Sequence, residues 1–304
     1  MKKKMLLTII LAALFTGLLF SFEIELSGGL GNLAFDKDLR SALSGPDIEG
    51  TFDPKYYPLL LAQFTGEYNS LFFSAGFSRD PLLRNRLYGN LRAGFDYFFI
   101  EAGPSIGIFN SPGLPINPGI SAALGLSIPG KVFARAAALS TIGARTESAG
   151  GYSQLSGEVS AGFWVPHVIC SLNMSMKNYA LREEPNLLTE DDLKKYFFRA
   201  DVFTKNVPFT MRVDLGFQNL SRSYSTQKID GGELVKEVTK DEFKSFIAGL
   251  EGVYTLNSHL KFYLGGEMPV YSWGKRPMKD PSKDTILFEA KMGVILNLSG
   301  RANQ

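Results

Sequence analysis

An alternation of apolar and polar residues with a period of two runs through almost the whole chain and constrains the fold more than any other feature. It is clearest near the C-terminus, where one face of residues 286–298 carries Ile286, Phe288, Ala290, Met292, Val294, Leu296 and Leu298. Successive side chains of a strand point to opposite faces, so this pattern predicts strands with one apolar face. Helical periodicity is scarce. Its clearest case is residues 189–195, which predict one or two helical turns with Thr189 as the N-cap.

The alternation predicts an all-β chain of about fourteen strands, or of twelve if residues 58–79 form a loop. The predicted strands lie at about residues 22–31, 58–69, 70–79, 86–96, 98–109, 119–128, 131–143, 152–164, 168–178, 197–205, 208–220, 243–256, 259–268 and 285–298. Short turns alternate with longer connections at residues 32–57, 80–85, 110–118, 144–151, 179–196, 221–242 and 269–284. An even number of strands of this length, with short turns at one end, is typical of transmembrane antiparallel β-barrels. We therefore predict short periplasmic turns and longer extracellular loops.

Two further features favour a lipid-facing surface over a soluble exported β protein, which is the structural alternative. The apolar face is apolar in nearly every predicted strand. Aromatic residues also cluster near strand ends, as they do in the girdles at membrane interfaces. The predicted girdle residues are Tyr97, Phe98 and Trp164 at the short-turn end, and Tyr57, Tyr88, Phe109, Tyr179, Tyr271 and Trp273 at the other end.

The opposite, polar faces carry charged residues, and simple hairpin registers bring opposite charges together. Turns at residues 96–97, at 206–207 and around 167 predict these facing pairs: Arg92 with Glu101, Arg199 with Asp214, Asp201 with Arg212, and Glu158 with Lys177. A charge at mid-depth in lipid costs several kcal/mol, so this face must line a polar lumen. The candidate pore-lining residues are Arg92, Glu101, Arg135, Glu158, Lys177, Arg199, Asp201, Arg212, Asp214, Glu251, Lys261, Glu267, Glu289 and Lys291.

The N-terminus indicates export. Met1 is followed by three lysines, by an apolar run that ends at Phe20, and by the small residue Ser21. This order of segments predicts a secretory signal peptide over residues 1–21, with an uncleaved inner-membrane anchor as the alternative. Residues 22–304 then form the barrel as a single domain.

The last predicted strand carries the most specific motif of the chain. It has a polar residue at Lys291, a glycine at Gly293, and apolar residues at Leu296 and Leu298. This spacing resembles the assembly signal of bacterial outer-membrane β-barrel proteins, and the strand pattern of residues 22–304 is similar to theirs. In size and strand count the chain resembles the monomeric fourteen-stranded porins, and in style the small barrels of spirochaetes. The resemblance implies outer-membrane lipid and the barrel-assembly machinery as partners, in the outer membrane of a diderm bacterium.

Composition argues against several other classes of function. Lys and Arg total 32 and Asp and Glu total 30, without the concentrated basic surface that a nucleic-acid binder needs. One cysteine and two histidines leave little for a metal or cofactor site, and we expect none. His167 and His259 fall at predicted short turns, so we expect no enzyme, and Cys170 falls on an apolar face as a lipid-facing small hydrophobe. The acidic residues of the 179–196 loop fit a solvated helix start better than a calcium site: Glu183, Glu184, Glu190, Asp191 and Asp192.

These observations favour a passive diffusion channel for small hydrophilic solutes. Mixed charges in the lumen predict weak ion selectivity, and the loops 32–57, 179–196 and 221–242 are expected to narrow the mouth. Two alternatives stay open: a non-conducting surface barrel whose extracellular loops bind a partner, and a hydrophobic-ligand transporter. The oligomeric state is open as well.

Overall fold

A computed structural model describes residues 21–33, 56–68, 71–110, 116–141, 150–184, 186–203, 207–230, 233–275 and 286–298. These residues form fourteen antiparallel strands: β1 (Ser21–Gly31), β2 (Tyr57–Tyr68), β3 (Leu71–Asp80), β4 (Arg84–Phe95), β5 (Phe98–Ile108), β6 (Ile116–Ile128), β7 (Val132–Thr141), β8 (Tyr152–Val165), β9 (Val168–Glu184), β10 (Leu187–Phe203), β11 (Phe209–Asp230), β12 (Glu233–Asn257), β13 (Leu260–Gly274) and β14 (Glu289–Asn297). Over these residues, no helix is long and apolar enough to cross a membrane.

Each strand pairs with its neighbours along the chain, and β1 pairs with β14 to close the barrel. In the closing pair Glu23 faces Asn297 and Gly31 faces Glu289, so β1 begins and β14 ends at the short-turn end. The predicted fold class is therefore confirmed, with fourteen strands rather than twelve. Closure matters physically because it leaves no sheet edge with unpaired backbone groups in the membrane.

Tight turns at the short-turn end set the registers of the hairpins. The two-residue turn between β8 and β9 places His167 at a φ of 69°, in the left-handed region. In this register Glu158 faces Ser175, and Lys177 faces Ser156. The predicted pairing of Glu158 with Lys177 is thus wrong by two residues, because it assumed a looser turn around His167.

Two predicted loops are instead extensions of the barrel wall. Residues 179–196 and 221–242 continue the hairpins β9–β10 and β11–β12, so the predicted helix at 189–195 is also wrong. β10 lies between β9 and β11 and pairs with both over this segment, so the ladders satisfy backbone groups that a helix would bond internally. Thr189 and Asp191 lie buried on one face of β10 instead of exposed at a helix start.

The outer surface is apolar. Most strands carry exposed, outward-facing apolar residues. Leu91, Leu172 and Leu264 are examples, with exposed fractions of 67%, 69% and 63%. Aromatic clusters lie at both rims of this band: Phe22, Phe64 and Phe73 near the short turns, and Phe217, Phe246, Tyr271 and Trp273 near the other end. From Phe246 to the outward-facing Tyr254 of β12, a strand tilted by about 40° rises roughly 20 Å, close to the apolar band of a membrane barrel.

The predicted aromatic girdle is correct for some residues and wrong for others. The exposed side chains are Tyr97, Phe98, Phe109, Tyr271 and Trp273. Four others point into the barrel instead: Tyr57 and Tyr179 are buried, Tyr88 lines an interior cavity, and Trp164 packs against the inward-facing Phe133. Position near a strand end does not decide the face, because neighbouring residues of a strand point in opposite directions.

One interior glycine permits close contact between neighbouring strands. A Cβ atom placed on Gly103 of β5 would lie 1.8 Å from the carbonyl oxygen of Gly89 in β4. On β1, a Cβ atom on Gly28 would come no nearer than 3.9 Å to another atom, a methyl carbon of Leu60. Gly103 is therefore required by the local packing of the wall, and Gly28 is not.

Candidate pore and its mouth

The predicted pair of Arg92 and Glu101 faces across β4 and β5 on the inner wall. Arg92 donates from Nε and Nη2 to Glu101 Oε2, at 3.0 and 2.8 Å. Asn90 Nδ2 donates to the other carboxylate oxygen at 3.0 Å, and the Arg92 guanidinium lies 4.4 Å from the ring centre of Phe99. These contacts hold the guanidinium against the wall, so the pair shapes the lumen with little net charge.

The other two predicted pairs join β10 to β11. Arg199 donates from Nε to Asp214 Oδ1 and from Nη2 to Asp214 Oδ2, each at 2.8 Å. Arg212 Nε donates to Asp201 Oδ1 at 2.6 Å. Three of the four register predictions are therefore confirmed.

The ion pairs extend beyond the predicted neighbours. Arg212 Nη1 also donates to Glu251 Oε1 of β12 at 2.9 Å, and Lys291 Nζ of β14 lies 2.7 Å from Glu251 Oε2. This chain of alternating charges runs along the inner wall from β10 to β14. Its charges are largely neutralised by one another rather than left as a ring of one sign.

Arg135 and Glu158 form the loosest of these interior pairs. Arg135 Nη1 lies 3.6 Å from Glu158 Oε2, and the two side chains are 39% and 60% exposed. Both residues line each of the two cavities described below. They are therefore the pair most available to a solute within the described part of the lumen.

One contributor to the inner wall was missed in the sequence. Lys195 of β10 forms an ion pair with Glu267 of β13. The predicted helix at residues 189–195 is the reason why Lys195 was not assigned to the inner face of a strand. Glu289 accepts a hydrogen bond from the Tyr57 hydroxyl at 2.6 Å, and Lys261 lies on the same face of β13 as the buried Tyr263. The signal was present in the alternation, since Lys195 shares its face with Arg199.

Two polar cavities occupy the lumen. The larger, about 590 Å³, extends from Glu67 and Asn297 at the short-turn end to Arg86 and Tyr88. The second, about 490 Å³, is lined by residues of β7 to β14, and its charged residues include Lys177, Arg199, Asp214 and Glu267. Because Arg135 and Glu158 line both, the two cavities adjoin at that pair.

The turn between β3 and β4 folds into the mouth at the opposite end. Asp80 Oδ1 accepts hydrogen bonds from the N–H groups of Leu82 and Leu83, at 2.9 and 2.6 Å. Its second oxygen, Oδ2, lies 3.1 Å from Lys177 Nζ of β9. The side-chain amide of Gln154 donates to the Leu83 carbonyl. Residues 80–85, predicted as a longer outer loop, are thus a tight turn bound to the far wall.

The leucines of this turn belong to an apolar cluster that fills the mouth. We call it the mouth cluster: Leu33, Leu82, Leu83, Leu220, Phe243 and Leu287, with Leu193 packed against them. Leu82 and Leu83 are 5% and 2% exposed. Leu220 and Phe243 come from β11 and β12, which lie five to seven strands from β3 and β4 by the shorter way around the barrel. The cluster therefore bridges opposite walls above the polar cavities.

The extended hairpins beyond the mouth carry ion pairs of their own. Arg222 binds Asp191 through two 2.6 Å hydrogen bonds, and both side chains are buried. Farther out, Glu242 lies between Lys240 and Lys244 at 2.6 and 2.8 Å. Hydrogen bonds from Lys240 and Lys244 lower the pKa of the Glu242 carboxyl to about 2, so it stays ionised at neutral pH. Asp191 was interpreted as a solvated loop acid, and its burial corrects that interpretation.

The remaining predicted residues lie away from the lumen or outside the described residues. His167 and His259 are exposed in short turns. Cys170 shares the outward face of β9 with Leu172 and Met174. Among the residues that the structure describes, no group of histidine, cysteine and acidic side chains could hold a metal ion. The predicted signal peptide up to residue 20 and most of the 32–57 loop lie outside that part of the chain.

A closed antiparallel barrel with an apolar outer band, aromatic rims and a charged interior is a β-barrel of the outer-membrane type. Solved structures with a similar fold include a bacterial polysaccharide outer membrane secretin, at 10% identity and a TM-score of 0.44, with 90% of this chain and 98% of that chain covered. A loop-deletion mutant of OmpT, an outer membrane protein of Vibrio cholerae, is 9% identical, with a TM-score of 0.44 and coverage of 91% and 98%.

An outer membrane channel from Pseudomonas putida F1 is 8% identical, with a TM-score of 0.43 and coverage of 91% of this chain and 94% of that chain. No protein-family model matches the chain, and no curated protein matches it in sequence.

Proposed function

We propose that this protein is an outer-membrane channel through which small hydrophilic solutes diffuse passively. The observation that carries this proposal is the charged inner wall around two polar cavities, at the depth where the outer wall is apolar. A packed core would place apolar side chains there, as the interiors of small barrels do. Fourteen strands enclose more space than side chains alone fill, and here the space is polar.

The arrangement of charge indicates the kind of solute. Interior arginines and lysines pair with acids on the same wall or across the lumen, so the described residues form no ring of one sign around the lumen. A ring of one sign is the arrangement that selects strongly among ions. We therefore expect weak ion preference and a limit set mainly by solute size.

The test is conductance of the detergent-purified chain in a planar bilayer under a salt gradient, with vesicle swelling in neutral sugars of graded size alongside. Stable unit steps, a small reversal potential and swelling that falls with sugar size are expected. The proposal would be overturned if a correctly folded barrel, shown by heat-modifiable migration in a gel, gave neither steps nor swelling even after residues 81–83 of the β3–β4 turn were replaced with Gly-Ser-Gly.

The closed mouth and the long hairpin favour one second candidate, a non-conducting surface barrel that binds a partner. β11 and β12 stay paired out to Asp230 and Glu233, while β10 pairs with β11 only as far as Thr226. The tip therefore projects beyond its neighbours. Joining Thr226 to Glu237 through Asn-Gly would remove the tip and keep the register. Loss of surface binding from a barrel that gives no unit steps with or without the tip would favour this candidate.

We also infer export and assembly from the chain ends. A signal peptide over residues 1–21 and the motif at Lys291, Gly293, Leu296 and Leu298 fit delivery to an outer-membrane assembly machinery. The motif lies on or just after β14, which pairs with β1 and closes the barrel. Replacing Gly293 with valine should block assembly, because even a Cβ atom there would lie 2.5 Å from the Tyr263 ring.

A further inference from the structure

Among the residues that the structure describes, a short turn closes the mouth. β3 ends at Asp80 and β4 begins at Arg84, so residues 81–83 form the whole connection between them. A three-residue turn at an outer rim would ordinarily be solvated and polar. This one instead carries Leu82 and Leu83 into the mouth cluster.

We propose that the β3–β4 turn is a gate, latched shut across the lumen by the mouth cluster and released when those contacts separate. This inference rests on the proposed channel function, because a gate matters only where solutes pass. In the latched state, solutes that reach the cavities from the short-turn end meet Leu82 and Leu83 below the mouth. In the released state the cavities join the space between the extended hairpins.

The contacts of the turn are suited to reversible release. They comprise a buried apolar cluster, the ion pair of Asp80 with Lys177, and the Gln154 hydrogen bond to Leu83. None of these is part of a β-ladder, whereas continuous ladders join β8 to β12 to one another. The turn can therefore separate from the far wall without breaking the barrel.

Arg84, the first residue of β4, adds a further contact between the turn and the far wall. Its guanidinium lies 4.9 Å from the ring centre of Tyr179 on β9. Its φ of 63° lies in the left-handed region, as do those of Asp96 and His167 in other short turns, and such a residue is common at the end of a hairpin turn. The contact with Tyr179 can therefore separate while the turn keeps its backbone conformation.

The experiment compares three changes in a Cys170→Ser background. Leu82→Cys with Leu220→Cys places two thiols in the mouth cluster, and a bis-methanethiosulfonate reagent long enough to span them joins them through disulfides, verified by mass spectrometry. Leu82→Ser with Leu83→Ser weakens the latch, and Leu82→Met with Leu83→Met is the matched control because it keeps apolar volume. The third change replaces residues 81–83 with Gly-Ser-Gly. Single-channel recordings of each use barrels shown to be folded by heat-modifiable migration.

We expect the cross-linked double-cysteine variant to give no unit steps until a reductant is added to the same bilayer. The double serine should raise the fraction of time open by about tenfold or more, because two buried leucines are lost from the latched state. The double methionine should resemble the parent. The Gly-Ser-Gly variant should be open throughout the recording.

Two results would overturn the inference, and they differ from failure of the channel itself. If the serine and Gly-Ser-Gly variants conduct as the parent does, the turn is a fixed part of the wall and the channel function stands. If the cross-link forms and conductance is unchanged, the same conclusion follows. If the folded Gly-Ser-Gly variant passes neither ions nor sugars, the proposed channel function fails with it.

Discussion

Lys177 and Asp80 form an ion pair across the barrel, with Lys177 Nζ 3.1 Å from Asp80 Oδ2, although five strands separate β9 from β3 along the wall. The same carboxylate caps its own turn through Oδ1. One side chain therefore fixes both the shape of the β3–β4 turn and its attachment to the far wall. Its two roles can be separated by substitution.

Replacing Asp80 with alanine removes both roles, whereas asparagine keeps the Oδ1 acceptor and loses the charge. We expect D80A to lower the free energy of unfolding by about 2–4 kcal/mol, since it loses one charge-assisted contact and two turn hydrogen bonds. D80N should lose about half as much. Urea unfolding in vesicles, followed by tryptophan fluorescence, measures both. Equal losses in the two variants would mean that the turn hydrogen bonds contribute little.

Charge reversal at the loosest interior pair tests whether the lumen conducts past it. Arg135→Glu should shift the reversal potential toward cation preference, because it places a second carboxylate beside Glu158. Glu158→Arg should shift it the opposite way by a similar amount. The double swap R135E/E158R restores the parent charge and serves as the matched control. Unchanged reversal potentials in both single variants would show that ions do not pass this pair.

The residues that face each other on neighbouring strands could be predicted from the sequence. The period of two assigns each residue to a face, and a tight turn fixes the register of the two strands. Arg92 opposite Glu101 follows directly once the turn at residues 96–97 is fixed. Glu158 was misplaced because the β8–β9 turn is shorter than assumed, and each residue added to a turn shifts the register. Errors of this kind are local and leave the strand order intact.

Contacts across the lumen could not be predicted, because periodicity assigns a face to a residue but no partner on the far wall. The sequence did hold a signal at the mouth: Leu82 and Leu83 follow Asp80 and Pro81 in what was predicted as an outer loop. Two adjacent leucines in a solvated turn conflict with the polar composition of such turns. The false helix at 189–195 has a different cause, since the wall there extends beyond the membrane and carries charges on both faces.

Glycine packing between β4 and β5 gives a prediction about assembly of the wall. Gly103→Ala forces a Cβ atom against the Gly89 carbonyl oxygen, and we expect it to lower the free energy of unfolding by about 1–3 kcal/mol or to prevent folding. Gly28→Ala, where the added atom meets only ordinary contact, should change it by less than about 0.5 kcal/mol. Heat-modifiable migration and urea unfolding measure both. Similar behaviour of the two variants would contradict the close approach at Gly103.

Two adjacent residues of β9 test which face of the barrel meets lipid. Leu172 points outward and is 69% exposed, and Asn173 points inward and lines the second cavity. An arginine on the lipid face near mid-depth costs about 2–4 kcal/mol, so Leu172→Arg should lower the free energy of unfolding from vesicles by that amount. Asn173→Arg should cost much less, because the cavity also holds Asp214 and Glu267 as partners. In a soluble barrel the order would reverse, since an outward arginine would meet water and an inward one would be confined. A Leu172→Arg variant as stable as the parent would therefore show that this face of the barrel does not contact lipid.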